Sequence, residues 1–165
     1  MLKKFCILLL TSIMIFMFAG CKKASVEDPV KSDLMSYMNR ISEAVTLEED
    51  VLNDYRKVSG ENYKEVDTYV VIKKIIIPKY TEFINKLDDI KPKTDEVKQL
   101  HEIYVKAAHV RLESFKQMEE GFEKKDGNLI KKTDKKLQEA QNNIEKYKKQ
   151  LVELGQKHNI KVNIK

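Results

Sequence analysis

Residues 94–122 read TDEVKQLHEIYVKAAHVRLESFKQMEEGF, and this stretch decides the fold. Val97, Leu100, Tyr104, Ala108, Leu112, Phe115, Met118 and Phe122 recur at a mean spacing near 3.6, with charged residues between them. That period is the mark of a helix with one apolar face. Thr94 stands at the N-cap position, and Asp95 and Glu96 occupy the first turn, where the helix dipole favours acids.

The same period appears on both sides. Leu34, Met38, Ile41, Val45, Leu52 and Tyr55 mark a helix from about Ser32, interrupted at Glu48. Its N-cap is Asp28 or Ser32, and Gly60 is expected to end it as a left-handed cap. Val66, Val70, Ile77, Tyr80, Ile84, Leu87 and Ile90 mark a second, and Ile130, Thr133, Leu137, Ala140, Ile144, Tyr147, Leu151 and Leu154 a fourth, closed near His158-Asn159-Ile160. Each runs about 40–45 Å at 1.5 Å per residue. The connections at Gly60-Glu61-Asn62, Pro92-Lys93 and Asp126-Gly127-Asn128 are short, so neighbours are antiparallel. The expected fold is all-α, an up-down-up-down four-helix bundle over 33–165. Pro78 falls inside the second helix, after the β-branched Val70-Val71-Ile72 and Ile75-Ile76-Ile77, and is expected to kink it.

The first residues follow another rule. Met1 to Lys4 is basic at its end, and Phe5 to Phe18 has only Thr11 and Ser12 as polar residues. Ala19, Gly20 and Cys21 follow, and then Lys22 and Lys23. A basic start, a short apolar run and small residues describe a signal peptide, expected over 1–20. The run is shorter than the roughly 20 residues that span a bilayer.

Phe18-Ala19-Gly20-Cys21 resembles the lipobox of bacterial lipoproteins, with Phe18 where Leu is usual. The resemblance covers residues 1–21 alone. It implies cleavage between Gly20 and Cys21, a diacylglyceryl group on Cys21, and a lipid anchor on the extracytoplasmic face of the cell membrane. Two acyl chains hold durably where one holds marginally. Residues 21–32 are then a lipidated tether, with Lys22 and Lys23 beside anionic headgroups. The Lys, Ile and Asn bias fits a low-GC Gram-positive source.

Charge and thiol content narrow the rest. The chain has 165 residues and a formal charge of +5, but residues 1–20 remove two Lys and no acid, leaving +3. With Lys interspersed among acids and an export signal in front, nucleic acid is not an expected partner. Cys6 leaves with the leader and Cys21 takes the lipid, so no thiol remains for a disulfide, metal or nucleophile. His101-Glu102-Ile103-Tyr104-Val105 has Val where the second zinc-binding His would stand. No Glu-x-x-His pair exists for a di-iron bundle, and the Gly residues are isolated. Neither metal nor cofactor is expected, and His101 and His109 read as polar-face residues.

Glu48-Glu49-Asp50 and Asp88-Asp89 read as solvated faces. Tyr37, Tyr55, Tyr69, Tyr80, Tyr104 and Tyr147 lie on or beside the stripes, with hydroxyls expected at the rim. Residues 27–57 carry net −4 and residues 124–149 net +5. These rims face one another in a simple ring, or the basic face meets an anionic membrane or wall polymer. The expected function is non-enzymatic: a lipid-anchored binding, adaptor or envelope-associated module with an envelope protein partner. The alternative is a receptor for a small ligand or peptide, with a pocket at Pro78, Tyr80 and Tyr104.

Overall fold

The computed structural model describes residues 27–163. The expected signal peptide over 1–20, with Gly20, and the expected anchor residues Cys21, Lys22 and Lys23 lie outside the described residues. Four long helical segments make up the fold: α1 (Pro29–Arg56), α2 (65–88), α3 (Asp95–Glu123) and α4 (Gly127–Lys157). A single 3-10 turn, Gly60–Asn62, sits between α1 and α2, and there is no strand among the described residues. The helices pack on one another as an all-α bundle around one core.

The caps explain where each helix starts and stops. Asp28 caps α1, its Oδ1 accepting the Lys31 N–H at 3.0 Å, so residues 29–32 are helix rather than tether. Pro29 fits there because a first-turn N–H has no helical partner. The helix ends at Arg56, short of Gly60, whose φ of +61° serves the 3-10 turn instead. At the end of α3 the Lys125 backbone takes φ 52°, and the Asp126 N–H reaches back to the Gly121 carbonyl at 2.8 Å. Asp126 then caps α4 through the N–H groups of Asn128 and Leu129. One residue thus closes one helix and opens the next, which makes the α3–α4 hairpin tight. α4 ends as the sequence indicates: Asn159 takes φ 55°, and the Ile160 N–H bonds the Gly155 carbonyl at 2.8 Å.

The stripes of α3 and α4 are those read from the sequence, with Val97 to Phe122 buried at every expected position. α1 is turned slightly. Val45 is exposed, and the buried line runs through Leu34, Tyr37, Ile41, Ala44, Glu48 and Val51.

α2 runs helical through Pro78, and what differs from the expectation is the turn and register before it. The segment stays helical, but residues Ile72–Ile76 form a π turn, with the Ile77 N–H bonded to the Ile72 carbonyl five residues back. Pro78 has no N–H, and in a regular α-helix its ring presses on the carbonyl four residues before it. A widened turn accommodates both defects. The extra residue also shifts the apolar register. Thr68, Ile72, Ile76 and Tyr80 are buried, while Val66 and Val70 are exposed.

Candidate functional site

The densest polar chemistry lies inside the bundle, where all four helices contribute to one cluster. Glu48 of α1 accepts the Tyr80 hydroxyl of α2 at 2.7 Å and Arg111 Nη1 of α3 at 2.6 Å on Oε1. Its Oε2 accepts the Tyr104 hydroxyl of α3. Arg111 Nη2 donates to Gln141 Oε1 of α4 at 2.8 Å, and Gln141 donates on to Glu145. A second layer sits beside it. The Tyr37 hydroxyl donates to that of Tyr147 at 3.1 Å, Tyr147 stacks on Tyr104 with ring centres 4.6 Å apart, and His101 meets the edge of Tyr37.

Helical periodicity accounts for the convergence. Glu48 follows Ile41 by seven residues and Ala44 by four, so it rides the buried line of α1. Arg111 follows Tyr104 by seven on α3, which places both on one face two turns apart. Burial then sets the ionisation. It pushes the Tyr80 and Tyr104 phenols well above 10, with Glu48 adding to the effect, so both hydroxyls remain donors. Burial also lifts Tyr147 to about 12. It opposes the charge on Arg111, but Tyr80 and Glu48 outweigh it and raise the guanidinium above its ordinary value.

A carboxylate, a guanidinium and two phenols can do acid–base work only where substrate reaches them. Tyr80 is 0% exposed, Tyr104 2%, Arg111 4% and Glu48 6%. The cluster is therefore a polar plug in an apolar core, each charge answered by a partner.

The end of the bundle where α1 begins is stitched together by acids at the start of α1. The buried Asp33 carboxylate accepts the Lys93 N–H at 2.8 Å, the Thr94 N–H at 2.7 Å and the Thr94 hydroxyl at 2.8 Å. Thr94 holds the N-cap position of α3, but its hydroxyl serves Asp33 rather than its own helix. Burial pushes the Asp33 carboxyl up, yet the bonds from Thr94 and Lys93 outweigh it and hold it below its ordinary 3.8. Asp28 meets His158 Nδ1 at 2.7 Å, which ties the start of α1 to the end of α4. That bond, with the Lys31 N–H, also holds Asp28 below 3.8.

Several expectations are corrected here. Glu48 is buried, whereas Glu49 and Asp50 are solvated. The hydroxyls of Tyr37, Tyr80, Tyr104 and Tyr147 turn inward to one another and to Glu48, because four helices leave room for a polar cluster at their axis. His101 is buried with Nδ1 unpartnered, whereas His109 is exposed beside Asp88. Pro78 faces solvent, whereas Tyr80 and Tyr104, expected to line a pocket with it, are packed and bonded in the core. An open groove of about 430 Å³ lies instead between α1 and α2, lined by Asn39, Arg40, Glu43, Lys86 and Asp89 over Ala44 and Ile90. A second, of about 310 Å³, lies between α3 and α4 over Leu100 and Leu154. Neither touches the three expected residues.

Arg111, Asp33 and Gln141 carried no sequence signal as a set, since each pairs across helices rather than along one. The facing of an acidic α1 rim and a basic α4 rim, expected from a simple ring, is not seen: among the described residues no α4 lysine pairs with an α1 carboxylate. Among the described residues no three His, Cys, Asp or Glu side chains gather to hold a metal ion, and no helix is long and apolar enough to cross a membrane. No family model matches the chain, and no curated protein or solved structure matches it either.

Proposed function

We propose that the chain is a lipid-anchored, extracytoplasmic helical-bundle protein acting as a non-enzymatic binding or adaptor module at the outer face of a cell membrane. The observation that carries this reading is the leader: a basic start, a short apolar run, and Phe18-Ala19-Gly20-Cys21 followed at once by Lys22 and Lys23. Two features of the bundle support it. The cluster of Glu48, Arg111, Tyr80 and Tyr104 is sealed in the core as structural partners, which leaves the bundle's surfaces to make contacts. The start of α1, which the tether enters, is bonded both to the α2–α3 connection and to the end of α4, so an anchor there holds the whole bundle. The burial of Tyr80 and Tyr104 weighs against the small-ligand alternative, whose pocket was expected beside Pro78.

The test is processing at Cys21. The wild-type chain is expected in the membrane fraction with radiolabelled fatty acid attached, and Cys21→Ser is expected to be unlabelled and either unprocessed or released. A Cys21→Ser chain that labels, fractionates and migrates like wild type overturns the anchor. For the adaptor role, crosslinking on intact cells is expected to trap a discrete envelope partner, and its repeated absence counts against that role.

A further inference from the structure

We propose that the outward face of α4 is a docking surface for an anionic lipid bilayer, along which the bundle lies. The proposal rests on the lipid-anchor reading only for bringing the bilayer within reach.

Charge is distributed unevenly among the helices. α1 carries net −3, α2 is neutral, α3 carries net −3, and α4 carries net +4. The positive charge of α4 has a direction. Thr133, Ala140, Ile144, Tyr147 and Leu151 face the core. Lys131, Lys135, Lys146, Lys149 and Lys157 are exposed. At 100° per residue these five fall within a sector of about 80° opposite the buried stripe. Glu139 and Glu153 share that sector, so lysine outnumbers acid there. Among the described residues Lys131, Lys135, Lys146 and Lys157 make no ion pair, and Lys149 only approaches Glu153 at 3.8 Å. The lysines of the other helices are more often engaged: Lys73 with Glu119 and Glu123, Lys79 with Asp54, Lys98 with Asp95 and Lys116 with Glu113.

The shape of the stripe selects the partner. Lys131 and Lys157 stand about 39 Å apart along the axis at 1.5 Å per residue. Neither groove described above seats a small anion beneath them, since the one reaching Lys157 opens between α3 and α4. The row contains no Arg, so the forked recognition of single phosphates is missing. Dispersed point charges in a straight row match a plane of anionic headgroups, where each lysine is worth about 1 kcal/mol. The row also ends at the anchor. His158, one residue past Lys157, bonds Asp28, and only six residues, 22–27, separate Asp28 from Cys21. That segment reaches at most about 25 Å. Tethering at one end raises the effective concentration of the bilayer along the stripe, so individually weak contacts add up.

The experiment uses the chain from Lys22 onward without lipid, whose core lies wholly within the described residues. It is sedimented with phosphatidylcholine vesicles with or without about one-third phosphatidylglycerol. Binding is expected to the anionic vesicles alone, and to disappear by about 0.5 M salt as charges are screened. The triple variant Lys131→Glu/Lys135→Glu/Lys146→Glu is expected to partition at least about tenfold less. The matched triple Lys74→Glu/Lys86→Glu/Lys106→Glu changes net charge equally and is expected to bind nearly as wild type. Circular dichroism checks that both stay helical, and the corresponding Lys→Gln triple on α4 repeats the comparison without added acid. Absence of wild-type binding at low salt overturns the proposal, as does equal loss in both triples. Binding to a soluble polyphosphate chain but not to vesicles overturns it in favour of an anionic polymer. None of these results bears on Cys21, which the fractionation of the full chain reads separately.

Discussion

Glu48 of α1 and Arg111 of α3 are joined by a 2.6 Å ion pair in the core, with side chains 8% and 5% exposed. Desolvation of both charges offsets much of their attraction, so the pair specifies an arrangement more than it adds stability. Losing one partner is a different matter, because the other charge then stays buried alone. Arg111→Met is expected to destabilise the bundle by about 3–5 kcal/mol. The double variant Glu48→Gln/Arg111→Met is expected to cost clearly less than the two single costs combined. Urea unfolding monitored by helical circular dichroism measures all three. An Arg111→Met cost below about 1 kcal/mol would show that the pair is not holding the helices together.

Asp33 provides a second joint, this time between α1 and the start of α3. Its carboxylate takes three hydrogen bonds from Lys93 and Thr94. Asp33→Ala leaves those donors without their acceptor and is expected to cost about 2–3 kcal/mol. The sign with pH follows from its depressed pKa. The contribution is complete above the unfolded value near 3.8 and is lost as pH falls through the lower folded value. Asp33→Asn is therefore expected to flatten the loss of stability below about pH 4. Acid titration of the two chains side by side reads it, and parallel curves would refute it.

The fold was legible because α3 and α4 keep an unbroken 3.6-residue period from cap to cap. The cluster was only half legible. Glu48 sits at the correct spacing on the stripe of α1, but a lone acid on an apolar line reads as an interruption until Arg111 arrives from another helix. The inward turn of the Tyr80 and Tyr104 hydroxyls was hidden for the same reason: their acceptor lies 32 and 56 residues away. Val66 and Val70 look apolar and periodic with Tyr80 because a regular helix is assumed between them. The π turn before Pro78 adds one residue and hands the core to Thr68 and Ile72. Local period reads faces well and fails at a register shift, which depends on how the chain relieves the missing proline N–H.

Two glycines of the α3–α4 hairpin are expected to respond in opposite directions to the same change. A Cβ on Gly121 would lie 2.7 Å from Ile130 Cγ1 and 3.3 Å from the Ile130 nitrogen. The close turn that Asp126 closes forbids easy retreat. Gly121→Ala thus loses the usual gain in helix propensity of about 1 kcal/mol and is expected to destabilise by about 1–3 kcal/mol overall. A Cβ on Gly127 meets nothing within 4 Å. Gly127→Ala is expected to stabilise by about 0.4–1 kcal/mol through a less disordered unfolded chain. Thermal melts of both decide it, and shifts of the same sign would contradict the packing.

His101 makes the folded state acid-sensitive in a range where carboxylates do not titrate. Burial, followed by the nearby Lys91 charge, holds its imidazole below 6.5, against weaker opposing effects of Asp88 and Glu102. Its Nδ1 is buried without a partner beside the Tyr37 ring, so a proton there is poorly accommodated. The unfolded chain takes up that proton below about pH 6.5 and the folded chain resists it. The unfolded state then binds more protons, so stability rises with pH up to about 6.5 and falls as pH drops below it. His101→Gln removes the titration and leaves His109 and His158 in place. Urea midpoints at pH 7.5 and 5.5 are expected to fall more for wild type than for the variant. Equal falls would assign the acid sensitivity to other groups.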